Sequence, residues 1–262
     1  PQERADTPEE IDARVPPPPA NPEQAVAKGV GDLARALLEE FGQELYPIRH
    51  VPSPLWCTYD LWGFDGMMEM VASRPDLVRH ACERYLARSL YHVRLSAALG
   101  ARGIWIEECM TDMVSPDAFA RLNLPYLQRL VEEIRSAGMH AIYYYCGNPN
   151  DRWEHLFASG ADALALEEGK KGFEIDIEEV ARRADRRCAI LGNLDAVGIL
   201  QDADDATLRA EIERQLAAGR RNGGRFVMSI GSPVTPSTPV GRVRRYCGLV
   251  RELSQAMSDG LV

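Results

Sequence analysis

Apolar residues along this chain first recur at helical steps and then settle into a repeated alternation of short runs and helical stretches. Between Glu23 and Phe41, the three- and four-residue spacing of the apolar positions predicts an amphipathic helix. Downstream, each compact apolar run ends at a turn and is followed by another helical pattern, which predicts strand–helix units. Six strands are predicted in this way, at Tyr46–Tyr59, Gly103–Glu107, Met139–Tyr145, Ala161–Leu166, Cys188–Leu191 and Phe226–Ile230.

Capping signals mark where several of the predicted helices begin and end. Ser115 and Thr238 each precede a proline, so each hydroxyl is expected to cap a helix with proline in its first turn. Gly100, Gly138 and Gly160 follow helical stretches, where a left-handed residue commonly ends the last turn. Repeated strand–helix units predict an α/β fold with a parallel sheet, and the length of 262 residues suits a (β/α)8 TIM-barrel-like domain. Because a closed barrel has eight strands, we expect the first strand or strands to be missing or disguised.

Residues 1–22 differ from the rest of the chain in being acidic and rich in proline. They include the run Val15-Pro-Pro-Pro-Pro19, and proline runs favour extended backbone without internal hydrogen bonds. We therefore predict an N-terminal arm over residues 1–22 and a barrel domain over residues 23–262. The abrupt start in low-complexity sequence favours a piece of a longer polypeptide.

Charge and composition exclude several classes of function. The formal net charge of -9 would repel nucleic-acid phosphates, and the chain has no basic patch with interleaved aromatic residues. No apolar run approaches the length of a membrane span, and the first residues do not resemble a signal peptide. The six cysteines are scattered without a CxxC pair, which favours reduced thiols over disulfides or a structural zinc module. We predict a cytoplasmic protein that acts on a small molecule and binds neither nucleic acid nor membrane.

Polar side chains stand where two of the apolar runs stop at a turn. Cys146 and Asn148 follow the run that ends at Tyr145, and Asn193 and Asp195 follow the run that ends at Leu191. Barrel and sheet enzymes place their chemistry at the carboxyl ends of strands. We therefore expect these two segments to converge on one pocket.

Four motifs resemble those of the uroporphyrinogen decarboxylase superfamily, over about Trp62 to Leu253. They are Gly147-Asn148 after a strand that ends in cysteine, Gly160-Ala-Asp162, Gly192-Asn-Leu-Asp195 and the closing Thr235-Pro-Ser-Thr-Pro239. The resemblance implies a (β/α)8 barrel and two chemistries, decarboxylation of porphyrinogens or zinc-dependent methyl transfer with a corrinoid protein as partner. A homodimer is compatible with the resemblance.

The chain departs from both branches of this family. The zinc methyltransferases typically have His-x-Cys-Gly where this chain has Tyr144-Tyr-Cys-Gly147, and a second cysteine where it has Ser232. Only Cys146 remains of that ligand triad. The arginine-rich N-terminal motif, early aspartate and late histidine of the decarboxylases are not matched either. A pocket poor in arginine suits a substrate with many carboxylates badly, although Arg152, Lys170 and Lys171 lie just beyond the strand ends and could reach in.

The expected site combines a thiol, carboxylates and polar groups at the strand ends. Thiolate and carboxylate ligands suit zinc, so Cys146 and Glu108 are the candidate ligands, although only one of Glu107 and Glu108 can face the pocket. Zinc would activate a thiol or polarise a methyl donor. The candidate catalytic residues are Tyr144, Glu107 and Asp195, and the candidate substrate-binding residues are Tyr59, Asn148, Glu168, Asn193 and Ser232.

Each candidate also has a purely structural interpretation. Cys146 is a packed thiol in that interpretation, and the Glu107-Glu108 and Glu167-Glu168 pairs are solvated acids. Asn193 and Asp195 would fix a turn by side-chain hydrogen bonds to the backbone. Three functions follow from these alternatives. The favoured one is transfer of a methyl group from a small methylated substrate to a corrinoid protein or thiol, and the others are a porphyrinogen-type decarboxylase and a binding protein whose site has decayed.

Overall fold

The computed structural model of the chain describes residues 4–169 and 172–258. The described residues form two compact units, which meet in the sequence between Asp162 and Ala163. Within the described ranges no helix is both long enough and apolar enough to cross a lipid bilayer. The first unit contains α1 Pro8–Arg14, α2 Pro22–Ala27, α3 Asp32–Phe41, β1 Ile48–Pro52, α4 Pro54–Cys57, α5 Tyr59–Ser73, α6 Pro75–Ala98, β2 Gly103–Cys109, α7 Pro116–Leu122, α8 Leu124–Ser136, β3 His140–Cys146 and α9 Trp153–Ala158.

The first unit is built on three parallel strands whose side chains alternate between two faces. Strand β2 pairs with β1 and with β3, in a register that sets Ile106 beside Tyr143 and Glu107 beside Tyr144. Ile104 and Ile106 of β2 are buried. We call their side of the sheet the helix face, because helices such as α8, which have buried apolar residues, cover the faces of parallel sheets. The residues between them point to the other face, as the two-residue period of a strand requires.

The second unit repeats the same pattern with shorter strands. Its strands β4 Ala163–Leu166, β5 Ala189–Leu191 and β6 Phe226–Val227 pair in parallel, β4 with β5 and β5 with β6. Helices α10 Ile177–Ala184, α11 Asp205–Arg221 and α12 Val240–Ser258 follow them in turn. A core of fully buried aliphatic side chains joins α11, α12 and the turn after β5, and consists of Leu194, Leu200, Leu208, Ile212, Leu249 and Leu253.

The predicted alternation of strands and helices is confirmed, since all six predicted strands are present with parallel pairing inside each unit. The predicted helix cap at Ser115 is also found, because its hydroxyl accepts a hydrogen bond from the Ala118 amide. The first strand is shorter than predicted and ends at Pro52, because the Ser53 hydroxyl caps a new helix at Pro54.

Two features of the N-terminal region differ from the predictions. The single helix expected from Glu23 to Phe41 is split into α2 and α3, because Gly29 and Gly31 adopt left-handed backbone with φ of 89°. The described part of the acidic segment is also not an unpacked arm. Helix α1 has a complete capping box at Thr7 and buries Ile11, and its Asp12 pairs with His80 of α6. The domain boundary near residue 22 stays a prediction.

Candidate functional site

Strands β2 and β3 present a second, partly exposed face at their carboxyl ends. We call it the thiol face and define it by six residues that share this side of the sheet by strand alternation and register: His50, Trp105, Glu107, Cys109, Tyr144 and Cys146. Their neighbours in sequence, such as Tyr143 and Tyr145, are fully buried on the helix face. The thiol face therefore gathers titratable and aromatic groups where parallel strands end.

Two thiols lie side by side at the end of this face. Cys109 and Cys146 are paired residues in the register of β2 and β3, and both are half-buried. A hydrogen bond with Cys146, burial and the neighbouring carboxylates Glu107 and Glu108 raise the pKa of Cys109 far above its ordinary value. Cys109 is therefore a protonated thiol at neutral pH. The pairing of Cys109 with Cys146 cannot be predicted from local sequence, because it depends on the register of two strands that α7 and α8 separate along the chain.

A histidine and a carboxylate occupy the amino-terminal part of the thiol face. His50 Nδ1 lies 3.5 Å from the Glu107 carboxylate, and the His50 ring stacks on Trp105 at 5.7 Å between centroids. Trp105 in turn lies 5.0 Å from the ring of Tyr144. The predicted catalytic residues Glu107 and Tyr144 are thus brought together. His50 was missed because only its cross-strand register distinguishes it from a surface histidine.

Glu108 points away from the thiol face and into the helix face. Its carboxylate is completely buried and accepts hydrogen bonds from Ser53 Oγ at 2.7 Å, Asn123 Nδ2 at 2.6 Å and the Tyr143 hydroxyl at 3.1 Å. Burial raises the pKa of Glu108 to about 7, and these three donors oppose the rise. The two predicted metal ligands, Glu108 and Cys146, therefore stand on opposite faces of the sheet.

The ligands required for the predicted zinc ion are only partly present. Residues 4–169 and 172–258 contain no group of three or more histidine, cysteine, aspartate or glutamate side chains placed to hold a metal ion. On the thiol face the two sulfurs lie together, but neither His50 nor Glu107 completes a group of three with them, whereas a catalytic zinc site needs three protein ligands. The donor set as it stands does not fit zinc, and the reason is that Glu108 serves the buried network instead.

Two predicted substrate-binding residues of the first unit have roles in shaping its loops. Tyr59 is the first residue of α5, and its hydroxyl donates a 2.9 Å hydrogen bond to the Met110 carbonyl. Burial raises the pKa of Tyr59 to about 12, so the phenol stays neutral. Asn148 follows β3 and accepts a hydrogen bond from the Asn150 amide, while its own amide donates to Asp112. Both residues border the turns that follow β2 and β3.

The second unit holds the remaining predicted residues around the ends of β4 and β5. Asn193 is buried and donates to the carbonyls of Ile175 at 2.8 Å and Glu167 at 3.4 Å, so it joins two stretches of backbone. Glu168 is buried at the end of β4. A methyl group added to Gly231 would lie 2.4 Å from the Glu168 amide nitrogen, so the two segments touch.

Asp195 and Ser232 complete the set in the second unit. One carboxylate oxygen of Asp195 accepts hydrogen bonds of 2.8 Å from the amides of Val197 and Gly198, which caps the helical turn Ala196–Gln201. This contact agrees with the structural interpretation of Asp195. Ser232 is half-buried in the bend after Gly231. The convergence of the two sets of strand ends on one pocket stays a prediction.

Arg152, a cation considered for the predicted pocket, is held by groups of the first unit. It is 3% exposed and donates hydrogen bonds to the carbonyls of Thr111, Asp112 and Val114, at 2.9 to 3.2 Å. It also pairs with Asp151 at 2.7 Å and lies over the ring of Phe119. Its hydrogen bonds to the three carbonyls hold the turn after β2, and its remaining hydrogen bonds go to Asp151. Lys170 and Lys171, the other cations considered for this role, lie outside the described residues.

Known proteins resemble this chain in sequence along most of its length. It is 30% identical over 156 residues to uroporphyrinogen decarboxylase of Solibacter usitatus (strain Ellin6076), covering 59% of this chain and 42% of that protein. It is 23% identical to uroporphyrinogen decarboxylase 2, chloroplastic, of Arabidopsis thaliana, covering 88% of this chain and 58% of that protein. The chain thus spans only about half the length of these relatives.

A solved structure and a family model define the fold and the family. A methyltransferase from Methanosarcina mazei superposes with a TM-score of 0.73 at 20% identity, over 84% of this chain and 62% of that one. At this identity the likeness shows the fold, which is TIM-barrel-like as predicted. The family model described as uroporphyrinogen decarboxylase (URO-D) matches residues 2–253. The chain therefore belongs to the uroporphyrinogen decarboxylase family.

Proposed function

We propose that this chain takes part in methyl transfer, moving a methyl group from a small methylated substrate to a corrinoid protein or a thiol, with the thiol face as its reaction surface. The observation that carries the proposal is the composition of that face. It sets two thiols, a carboxylate, a histidine and two large aromatic rings side by side, and none of its six residues is an arginine or a lysine.

The aromatic groups suit a small, weakly polar substrate. Trp105 and Tyr144 form a tilted pair 5.0 Å apart, and such rings bind apolar methyl-bearing groups through dispersion and edge contacts. The half-buried setting of both rings keeps part of their surface accessible. A methyl group docked there would lie on the same face as Glu107 and Cys146.

The polar groups suit the proton balance of the reaction. When the bond between the methyl carbon and its heteroatom breaks, the methyl goes to the nucleophile and the electron pair stays on the leaving atom. That leaving atom then needs a proton. His50, 3.5 Å from Glu107, is placed to donate it, with the carboxylate stabilising the charged imidazole. Tyr144 would orient the leaving group by a hydrogen bond.

Porphyrinogen decarboxylation is the second candidate, because relatives at 21 to 30% identity bear that name. A substrate with many carboxylates requires cationic partners in a shielded site. Arg152, the described cation considered for that task, is committed to backbone carbonyls and to Asp151. This commitment weighs against decarboxylation. A cytoplasmic location, a corrinoid protein as partner and a homodimer are parts of the methyl-transfer proposal.

The test uses methylcobalamin as the methylated corrinoid and a small thiol as the acceptor, which follows the reaction from the corrinoid side. Transfer breaks the carbon–cobalt bond, leaves its electron pair on cobalt and forms a thioether, which changes the visible spectrum of the corrinoid. In this direction the acceptor thiol loses a proton, which the His50–Glu107 pair would accept. We expect faster loss of methylcobalamin with the protein than without it, and loss of that acceleration in Glu107→Gln. Consumption of a porphyrinogen without methyl transfer would favour the decarboxylase. If the protein catalyses neither reaction, the result would favour a decayed binding protein.

A further inference from the structure

We propose that Cys109 and Cys146 form a reversible disulfide, which makes the thiol face a site of oxidative modification. The two cysteines are partners in the parallel register of β2 and β3, on the last residue of each strand. Both are reduced thiols and half-buried, so a small oxidant can reach them. The proposal is independent of the function proposed above, because bond formation is measured without any substrate.

The spacing of neighbouring strands favours a disulfide between these two cysteines. Neighbouring strands in a sheet lie about 4.8 Å apart, and disulfides join residues whose Cα atoms are roughly 4.4 to 6.8 Å apart. Paired cysteines on adjacent strands therefore fall inside the range that a disulfide spans. The two side chains are also close enough to interact through a hydrogen bond.

The position at the strand ends supplies the small movement that closure requires. Side chains on paired parallel strands start about as far apart as the strands themselves, slightly wider than the Cβ spacing of roughly 3.8 Å in disulfides. Directly after the cysteines, Met110 and Gly147 adopt left-handed backbone, with φ of 61° and 148°. The ladder ends with the Cys109–Cys146 pair, so an inward shift of either strand end is opposed by paired residues on one side only. A bond closed in this way is easily reduced again.

The chemistry balances with a low-molecular-weight disulfide as oxidant. One cysteine thiolate attacks oxidised glutathione, which forms a mixed disulfide and releases one reduced glutathione. The second cysteine then attacks the mixed disulfide, which forms the Cys109–Cys146 bond and releases the second glutathione. The two protons of the cysteine thiols end on the two released glutathione thiols, and the two electrons reduce the disulfide of the oxidant. Because the raised pKa of Cys109 keeps it protonated, the reaction is expected to be slow at neutral pH and faster at mildly alkaline pH.

The other cysteines provide internal controls. Cys82 and Cys188 are buried, and Cys247 is half-buried on α12 of the second unit. Burial raises the pKa of Cys57 to about 12. Cys247→Ser therefore removes a thiol of comparable exposure without touching the pair, and it is the matched control for Cys109→Ser.

The experiment exposes the full chain to oxidised glutathione, blocks the remaining thiols by alkylation and counts them by intact mass and peptide mapping. We expect wild type and Cys247→Ser to lose two alkylatable thiols, with Cys109 linked to Cys146, and to regain both in excess reduced glutathione. Cys109→Ser should instead hold one glutathione on Cys146. Persistent glutathione adducts on wild-type Cys109 or Cys146, full alkylation of both, or linkage to any other cysteine would overturn the proposal. Should Cys109→Ser fail to fold, the wild-type linkage map decides alone.

Discussion

The side-chain amide of Asn123 donates a 2.6 Å hydrogen bond to the carboxylate of Glu108, inside a region that excludes water. Asn123 stands at the junction of α7 and α8, and Glu108 near the end of β2, so this contact ties the helix layer to the strand end. The hydroxyls of Ser53, directly after β1, and of Tyr143, on β3, donate hydrogen bonds to the same carboxylate. A carboxyl group in this setting makes stability depend on pH.

Stability should fall as pH rises between about 4.5 and 7. The ordinary pKa of Glu108 is 4.5, and burial raises its pKa in the folded chain to about 7. In that pH range Glu108 loses its proton in the unfolded chain and keeps it in the folded chain. Rising pH therefore stabilises the unfolded state relative to the folded state. The total loss is about 3 kcal/mol, at about 1.4 kcal/mol for each pKa unit.

Glu108→Gln removes this titration and is the corresponding variant. We expect the Glu108 contribution to the pH slope of the unfolding free energy to disappear, as measured by urea unfolding at a series of pH values. Glu83→Gln is the control, because Glu83 is an exposed acid paired with Arg129. An unchanged slope in Glu108→Gln would mean that Glu108 titrates normally in the folded chain.

Arg152→Lys should destabilise the chain by about 2 to 4 kcal/mol, because one ammonium group cannot replace a planar guanidinium that serves three carbonyls and a carboxylate. Thermal unfolding measures the loss. Arg182→Lys, at an exposed pair with Glu179, should change stability by less than about 0.5 kcal/mol. Equal effects of the two substitutions would contradict the structural role assigned to Arg152.

Glu107→Gln should lower the rate of methyl transfer from methylcobalamin to the thiol by about 10² or more, because it removes the charge that supports His50 in accepting the thiol proton. The unfolding free energy should stay within about 0.5 kcal/mol of wild type, since the Glu107 side chain is 33% exposed. A normal rate with Gln at this position would remove Glu107 from the reaction. Substitution of the buried neighbour Glu108 is expected to do the opposite and to change the stability of the fold.

Gly231→Ala should destabilise the second unit by about 1 to 3 kcal/mol, because the added methyl would lie 2.4 Å from the backbone nitrogen of Glu168. Gly241→Ala is the matched control, since nothing lies within 4 Å of the added carbon on α12. It should be neutral or stabilising by up to about 1 kcal/mol, as alanine favours helix. Chemical denaturation of both variants distinguishes a close contact from a general cost of replacing glycine.

Local signals were enough to predict the order of elements. Strand runs such as Met139–Tyr145 differ from their neighbours by the period of their apolar residues, and the structure places β3 at His140–Cys146. Ser115 before Pro116 predicted a helix start within one residue. Capping and periodicity act over a few residues, so they can be read without knowledge of the fold.

Packing in three dimensions decided what these signals left open. Helix α1 exists because Ile11 finds a buried position and Asp12 meets His80, 68 residues away, which a composition rich in proline and acid does not reveal. In the same way the break between α2 and α3 follows from left-handed glycines inside a regular apolar pattern.

The sequence by itself determined that strands alternate with helices, that their carboxyl ends bear thiols and carboxylates, and that the motifs are those of this family. Only the tertiary structure decided that Glu107 and Cys109 share one face with Tyr144 and Cys146, while Glu108 is buried behind them. The reason is register. A shift of one residue between β2 and β3 would exchange the faces without changing any local pattern, and the register is set by packing between distant segments.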